Sequence, residues 1–216
     1  MKSQYIAINT KIKAKRAKLL TARDYENLCA SGVADFNFTD ALEYISPYLQ
    51  KPARDFVKNF YANGFSANFS ALDKSSRKSM KKIFAAHLDL QNILWVYRLK
   101  RFHKIDDVKI FSFLAPSTHK ISAEEMSRLV HAKDLETFAQ LVSQTFYGNV
   151  FKNFSHGEQA LSREIRSLFK KEYRHENLTV VCGYLFECKL QEKNIRVVNA
   201  GLKHGLSPTE ILEILH

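Results

Sequence analysis

Glycine and proline are scarce in this sequence, with 7 and 4 residues among 216. Proteins built from many short strands need frequent tight turns, which these two residues supply best, so their scarcity disfavours a β-sandwich or barrel. Cysteine is rarer still: Cys29, Cys182 and Cys188 are present, with no C-x-x-C spacing. An odd number of cysteines without that spacing predicts no disulfide framework and indicates a reducing, cytosolic compartment.

Long apolar runs are also missing. The most apolar stretch, LTVVCGYLFEC at 178–188, is shorter than the roughly 18 residues of a membrane-spanning helix and contains Glu187. The first residues contain no apolar segment of the kind found in secretory signals. With 45% hydrophobic and 25% charged residues, the composition is typical of a folded soluble protein.

Apolar residues instead recur at helical spacing along most of the chain. Tyr5, Ile8 and Ile12 fall on one helical face near the start. Ser122-Ala-Glu-Glu125 and Ser207-Pro-Thr-Glu210 are helix-start signals of the capping-box type. No strand pairing or hairpin signal is evident, so the sequence predicts an all-α fold.

The sequence also predicts where individual helices begin and end. Thr39 is expected to cap a short helix, and two consecutive helices are expected at 70–88 and 89–104. The second of these, DLQNILWVYRLKRFHK, is apolar on so many sides that it should lie at the centre of its domain. Trp95 is therefore expected in the core rather than on a base-stacking surface.

A weak internal repeat divides the chain into two parts. Asn92-Ile93 is followed by a basic stretch and a helix start. Asn194-Ile195 is followed by the same arrangement, at an offset close to 102 residues. The sequence therefore predicts two helical modules, a basic one at 1–115 and a second at 116–216.

Positive charge is concentrated in the first module. The chain has 33 Lys and Arg against 22 Asp and Glu, a formal charge of +11, of which residues 1–115 contribute +10. Two clusters account for much of this excess and are candidate partner-binding residues: Lys11, Lys13, Lys15, Arg16, Lys74, Arg77, Lys78, Lys81 and Lys82. They could contact nucleic-acid phosphates, anionic lipid or an acidic protein partner, or could simply form solvated helix faces.

Signals of catalysis are lacking. The sequence contains no P-loop, GxGxxG, GxSxG or HExxH motif, and the glycines are scattered singly. Cys182 and Cys188 are six residues apart, nearly opposite each other on a helix, and are expected to be small buried hydrophobes rather than joint metal ligands. We predict no catalytic, cofactor-binding or metal-binding residue.

Three segments together resemble the family of C subunits (also called d subunits) of archaeal-type and vacuolar-type rotary ATPases. They are YIAINTKIKAKRAKLLTARDYENL (5–28), DLQNILWVYRLKRFHKI (89–105) and FECKLQEKNIRVVNAGLKHGLSPTEIL (186–212), of which the third is the most specific. Members of that family are all-helical funnels of three similar modules, so the two modules visible here are one fewer than usual.

The resemblance implies a function without an active site. It implies a non-catalytic rotor connector between the proteolipid ring and the central stalk, supporting ATP-linked proton or sodium transport. Such a protein lies on the cytoplasmic face and is peripheral to the membrane through the ring, with no cofactor, small-molecule substrate or nucleic acid.

Two modules could not close the three-module funnel alone. The chain is then a reduced form of the connector, the partner of another chain, or a paralogue that has left the rotor. A basic helical nucleic-acid-binding module is the alternative reading of the sequence.

Overall fold

A computed structural model of the protein describes residues 3–32, 34–62, 68–103, 105–116 and 119–216. Every regular element of these residues is helical, which confirms the all-α prediction. The α-helices are α1 (Ser3–Arg16), α2 (Ala22–Ser31), α3 (Phe38–Ile45), α4 (Lys51–Ala62), α5 (Lys74–Arg98), α6 (Asp107–Phe113), α7 (Ala123–Val130), α8 (Leu135–Ser143), α9 (Gly157–Glu172), α10 (Leu178–Lys203) and α11 (Pro208–Glu213). Single 3₁₀ turns lie at Ser46–Tyr48, Phe69–Ala71 and Phe154–His156, and a π-helical turn, Leu99–His103, extends α5.

Side-chain caps fix where several of these helices begin. The capping boxes predicted at Ser122 and Ser207 are confirmed, and Thr21 forms a third with Asp24. The prediction for Thr39 is wrong, because Asn37 caps α3 by accepting a hydrogen bond from the Thr39 N–H. In such an Asx turn, the asparagine side chain accepts a hydrogen bond from the N–H two residues later in the chain. Asn37 is therefore the cap, and Thr39 lies inside the helix.

The two helices predicted at 70–88 and 89–104 are one continuous helix, α5. No glycine or proline interrupts residues 74–98, and Asp89, which marked the expected boundary, is buried. Its carboxylate accepts hydrogen bonds from the Lys120 N–H at 2.7 Å and the Tyr147 hydroxyl at 3.2 Å. The prediction for Trp95 is also wrong, since the side chain is 40% exposed and lies on the helix face of Arg98.

The chain folds into two compact units. Unit 1 comprises residues 1–80 and 166–216, and unit 2 comprises residues 81–165. The boundaries fall within α5 and α9, which differs from the division at residue 115 drawn from the sequence repeat. The repeat describes similarity along the chain rather than compactness in space, so modules 1–115 and 116–216 stay a prediction.

Helix α10 forms the centre of unit 1. It packs against α1, α2, α3 and α11, and sixteen of its residues are buried. At its C-terminal end, Ile195 and Val198 join Tyr25, Cys29 and Ile211 in a buried apolar cluster. A helix apolar on nearly all sides is expected at the centre of its fold, and in unit 1 that helix is α10.

Several aromatic rings of unit 2 pack against one another. The Tyr97 ring stacks on Phe154 with centroids 4.5 Å apart, and Phe154 also contacts Phe138 and Phe151 at 5.4 Å. Offset ring pairs of this kind add about 0.5–1.5 kcal/mol to the free energy gained from area burial. His87 is buried in the same unit, and burial lowers its pKa to about 4.

The low pKa of His87 predicts acid sensitivity. The folded protein keeps this imidazole neutral, whereas the unfolded chain takes up its proton as the pH falls below about 6.5. Between pH 7.5 and 5, the free energy of unfolding should therefore fall by about 2 kcal/mol more in the wild type than in His87→Leu. Urea unfolding at both pH values measures this. His103→Leu, a change at an exposed histidine of the same unit, should keep the wild-type dependence, and equal slopes for His87→Leu and the wild type would contradict the argument.

In each unit, one asparagine side chain forms hydrogen bonds with both the N–H and the carbonyl of a single distant residue. We call this contact the asparagine clasp. In unit 2, Asn92 of α5 donates to the Ala115 carbonyl at 2.8 Å and accepts from the Ala115 N–H at 3.0 Å. In unit 1, Asn194 of α10 donates to the His216 carbonyl at 3.2 Å and accepts from its N–H at 2.9 Å. Each clasp fastens the segment after a short helix, α6 or α11, to a long helix. These contacts give the sequence repeat around Asn92 and Asn194 a physical basis.

Candidate partner-binding surfaces

The first basic cluster lies on α1, where much of its charge is used within unit 1. Lys11 Nζ donates to the Tyr48 hydroxyl at 3.0 Å, and it lies 4.4 Å from the centroid of that ring. Lys15 Nζ lies 4.3 Å from the Tyr44 centroid. The hydrogen bond to Tyr48 raises the pKa of Lys11, so this side chain keeps its charge. Lys13 is exposed.

Arg16, the last residue of α1, has a structural partner. Its Nε and Nη2 atoms donate to the two carboxylate oxygens of Glu187 on α10, at 2.7 and 3.1 Å. The guanidinium also lies 3.8 Å from the centroid of the Tyr173 ring. Four residues further along the chain, the Leu20 N–H donates to Gln191 Oε1 at 2.8 Å. These contacts join the end of α1 to the middle of α10, and Arg16 contributes to the packing of unit 1.

The second basic cluster lies on α5 and is more accessible. Lys74 and Lys78 are exposed on the first two turns of the helix in unit 1, and Lys81 and Lys82 are exposed where α5 continues in unit 2. Arg77 differs from them, because its guanidinium donates at 2.7 Å to the carbonyls of Ser70 and Leu72. Arg77 therefore closes the turn that precedes α5, and the neighbouring lysines are the residues of this cluster that face solvent.

The sequence reasoning missed the residues that hold these basic helices in place. In the sequence Glu187 is only a charge within an apolar run, yet it is 11% exposed and pairs with Arg16. Ser79 on α5 donates to Glu172 at 2.6 Å, and Ser76 accepts from the Leu178 N–H at 3.1 Å. No local pattern marks such pairs, since their members are about 90 to 170 residues apart in the chain. The asparagine clasps did leave a signal in the repeat.

The cysteines occupy the buried positions expected of small hydrophobic residues. Cys29, Cys182 and Cys188 are free thiols within unit 1. Burial raises the pKa of the Cys188 thiol to about 11, so it stays protonated at neutral pH. Among the described residues, no group of three His, Cys, Asp or Glu side chains could hold a metal ion. Across the same residues, no helix is both long and apolar enough to cross a membrane.

Comparison with known proteins identifies the family of this helical chain. The pattern of the family described as ATP synthase (C/AC39) subunit matches residues 32–214, which is most of the sequence. The chain belongs to this family. The C/AC39 match confirms the resemblance to the C subunits of V/A-type ATPases that the three sequence segments indicate. No solved structure matches the chain.

Comparison with a curated relative extends this result. The C subunit of the A-type ATP synthase of Desulfurococcus sp. (strain SY) is 24% identical over 226 residues, covering 96% of this chain and 60% of that protein. The chain thus spans about 60% of the length of the relative that it matches.

Proposed function

We propose that this C/AC39 chain is a non-catalytic rotor connector that couples the central stalk of a V/A-type ATPase to the membrane proteolipid ring. It would support ATP-linked proton or sodium transport from the cytoplasmic face, peripheral to the membrane through the ring. The observation that carries the proposal is the family match over residues 32–214. It is supported by the name of the relative, which is the C subunit of an A-type ATP synthase.

The packing of unit 1 suits a part that must transmit torque. Helix α1 is joined to α10 by a paired arginine and carboxylate, and α2, α3 and α11 pack on the same helix. Such a body resists shear, because sliding one helix would break polar contacts and open packed apolar surface. A connector needs this stiffness and surfaces complementary to its partners. It does not need a catalytic group.

Affinity purification tests the role directly. The tagged chain would be recovered from gently solubilised, nuclease-treated native membranes, and its partners identified by mass spectrometry. Recovery of the proteolipid ring and central-stalk proteins is the expected result. Retention of nucleic acid in place of rotor proteins, with binding that falls steeply as salt rises, would instead favour the nucleic-acid alternative.

Exposed lysines on α5 are the proposed contact with carboxylates of the ring or stalk. Changing Lys74 and Lys78 to glutamate should reduce recovery of rotor proteins at low salt by at least about threefold, because attraction becomes repulsion. Lys58→Glu with Lys203→Glu is the matched control, since both are exposed lysines of unit 1 and the change in net charge is the same. Equal recovery with both double variants would place the contact elsewhere.

A further inference from the structure

A cleft of about 520 Å³ opens in unit 1 beside the junction of α1 and α10. Its volume falls within the roughly 300–1,000 Å³ of ligand-binding pockets. Residues from the α1–α2 connection, α2, α9, α10 and the C-terminal end of the chain line it. None of the basic clusters predicted from the sequence accounts for this cleft, although Arg16 lies at its edge.

Two basic side chains of the cleft have no ion-pair partner among the described residues. Arg166 and Lys170 are four residues apart on α9, so both point to the same side of that helix. The third cation, Arg16, is already paired with Glu187. The Nε atom of Arg166 is buried and has no hydrogen-bond partner among the described residues. A buried donor of this kind is unfavourable to leave unpaired, and a carboxylate bound to the Arg166 guanidinium would offset that cost with charge-assisted hydrogen bonds.

The cleft also has an apolar part to its lining. Four half-buried leucines line it, two from the α1–α2 connection and two from α11 and the residues after it: Leu19, Leu20, Leu212 and Leu215. An occupant that satisfies the whole cleft therefore carries a carboxylate close to a branched aliphatic group. Glu26 and Gln191 also line the cleft. An acyl chain would offer no hydrogen bond to the Glu26 carboxylate or the Gln191 amide group, whereas a peptide backbone offers N–H donors to the first and carbonyl acceptors to the second.

We propose that this cleft binds an acidic peptide segment of a partner protein. A glutamate or aspartate of the segment pairs with Arg166 and Lys170, and a neighbouring leucine-like side chain packs among the four leucines. The inference goes beyond the connector role and does not depend on it, because it concerns a partner of stated chemistry and not a rotary assembly.

Nuclear magnetic resonance titration of the whole isotope-labelled chain tests the proposal. The probe is the peptide acetyl-Glu-Leu-Leu-Glu-amide, compared with acetyl-Gln-Leu-Leu-Gln-amide and with decanoate. We expect the acidic peptide to shift backbone signals around the cleft, and the glutamine peptide to bind at least about tenfold more weakly. Arg166→Met with Lys170→Met should weaken binding of the acidic peptide by at least about tenfold. The control is Lys171→Met with Arg174→Met, which also removes one lysine and one arginine, at nearby positions that do not line the cleft. It should change the affinity for the acidic peptide by less than about twofold.

Each contrary result overturns the proposal in its own way. No shift at about 10 mM peptide, above the roughly millimolar Kd expected of so short a ligand, would mean that the cleft binds no acidic peptide. Equal binding to the two double variants would place the peptide elsewhere. Shifts around the cleft with decanoate alone would assign it to an amphiphile. Purified chain and synthetic probes suffice, so failure here leaves the recovery of rotor proteins as a separate question.

Discussion

Asn92→Ala should lower the free energy of unfolding by about 2–4 kcal/mol, one of the two largest single-residue effects expected in this protein. The amide of Asn92 is 3% exposed and satisfies both the N–H and the carbonyl of Ala115. Alanine can do neither, so two backbone groups lose their partners, each at about 1–3 kcal/mol when water cannot replace them. Urea unfolding monitored by circular dichroism measures the change.

Hydrogen exchange distinguishes loss of the clasp from general loosening. In Asn92→Ala, amides of α6 (Asp107–Phe113) should lose protection first, because the clasp fastens the segment that follows this helix. Asn194→Ala should do the same to α11 (Pro208–Glu213). Asn59→Ala, at an exposed asparagine of α4, is the control and should stay within about 0.5 kcal/mol of the wild type. Uniform loss of protection across the chain would contradict a local clasp.

The two clasps also show how far the sequence could predict the structure. The echo of Asn92-Ile93 in Asn194-Ile195 was visible as a repeat, but its meaning depended on which backbone groups lie opposite the amides. Helix-start signals were more direct, because a capping box is a contact between residues three apart. Ser122 and Ser207 were therefore predicted correctly from four residues each.

The errors have physical causes of the same kind. Thr39 and Asn37 are both competent caps, and the choice between them depends on how the chain enters α3. The prediction for Trp95 rests on a helix that is apolar on many sides, yet α5 buries Ile93, Leu94 and Val96 and leaves Trp95 exposed to solvent. Periodicity predicts that a helix has a buried side; partners distant in the chain decide how wide that side is.

The basic clusters show the limit for candidate sites. The sequence shows that positive charge concentrates in the first half of the chain. It does not show which basic side chains have partners within the fold and which face solvent. Lys11 and Lys15 lie against tyrosine rings and Arg77 closes a turn, whereas Lys74 and Lys78 are exposed. The cleft with Arg166 and Lys170 could not be predicted, because its lining comes from four separate stretches of the chain.

The other large effect is expected at Arg16. Arg16→Met should lower the free energy of unfolding by about 2–4 kcal/mol, because the Glu187 carboxylate, at 11% exposure, would lose the cation that pairs with it. Methionine retains an apolar contact with the Tyr173 ring, so the change isolates the loss of the guanidinium. Thermal and urea unfolding measure the effect.

A second substitution separates a stranded charge from lost packing. In Arg16→Met with Glu187→Met, most of the stability should return, since neither half-buried charge remains and both side chains fill similar volume. Lys51→Met breaks an exposed ion pair with Asp55, whose members are 83% and 49% exposed, and should change stability by less than about 0.5 kcal/mol. A double variant as unstable as Arg16→Met would show that the pair acts through specific hydrogen bonds. Unchanged stability in Arg16→Met itself would return Arg16 to the set of basic residues available to a partner, as the sequence alone predicted.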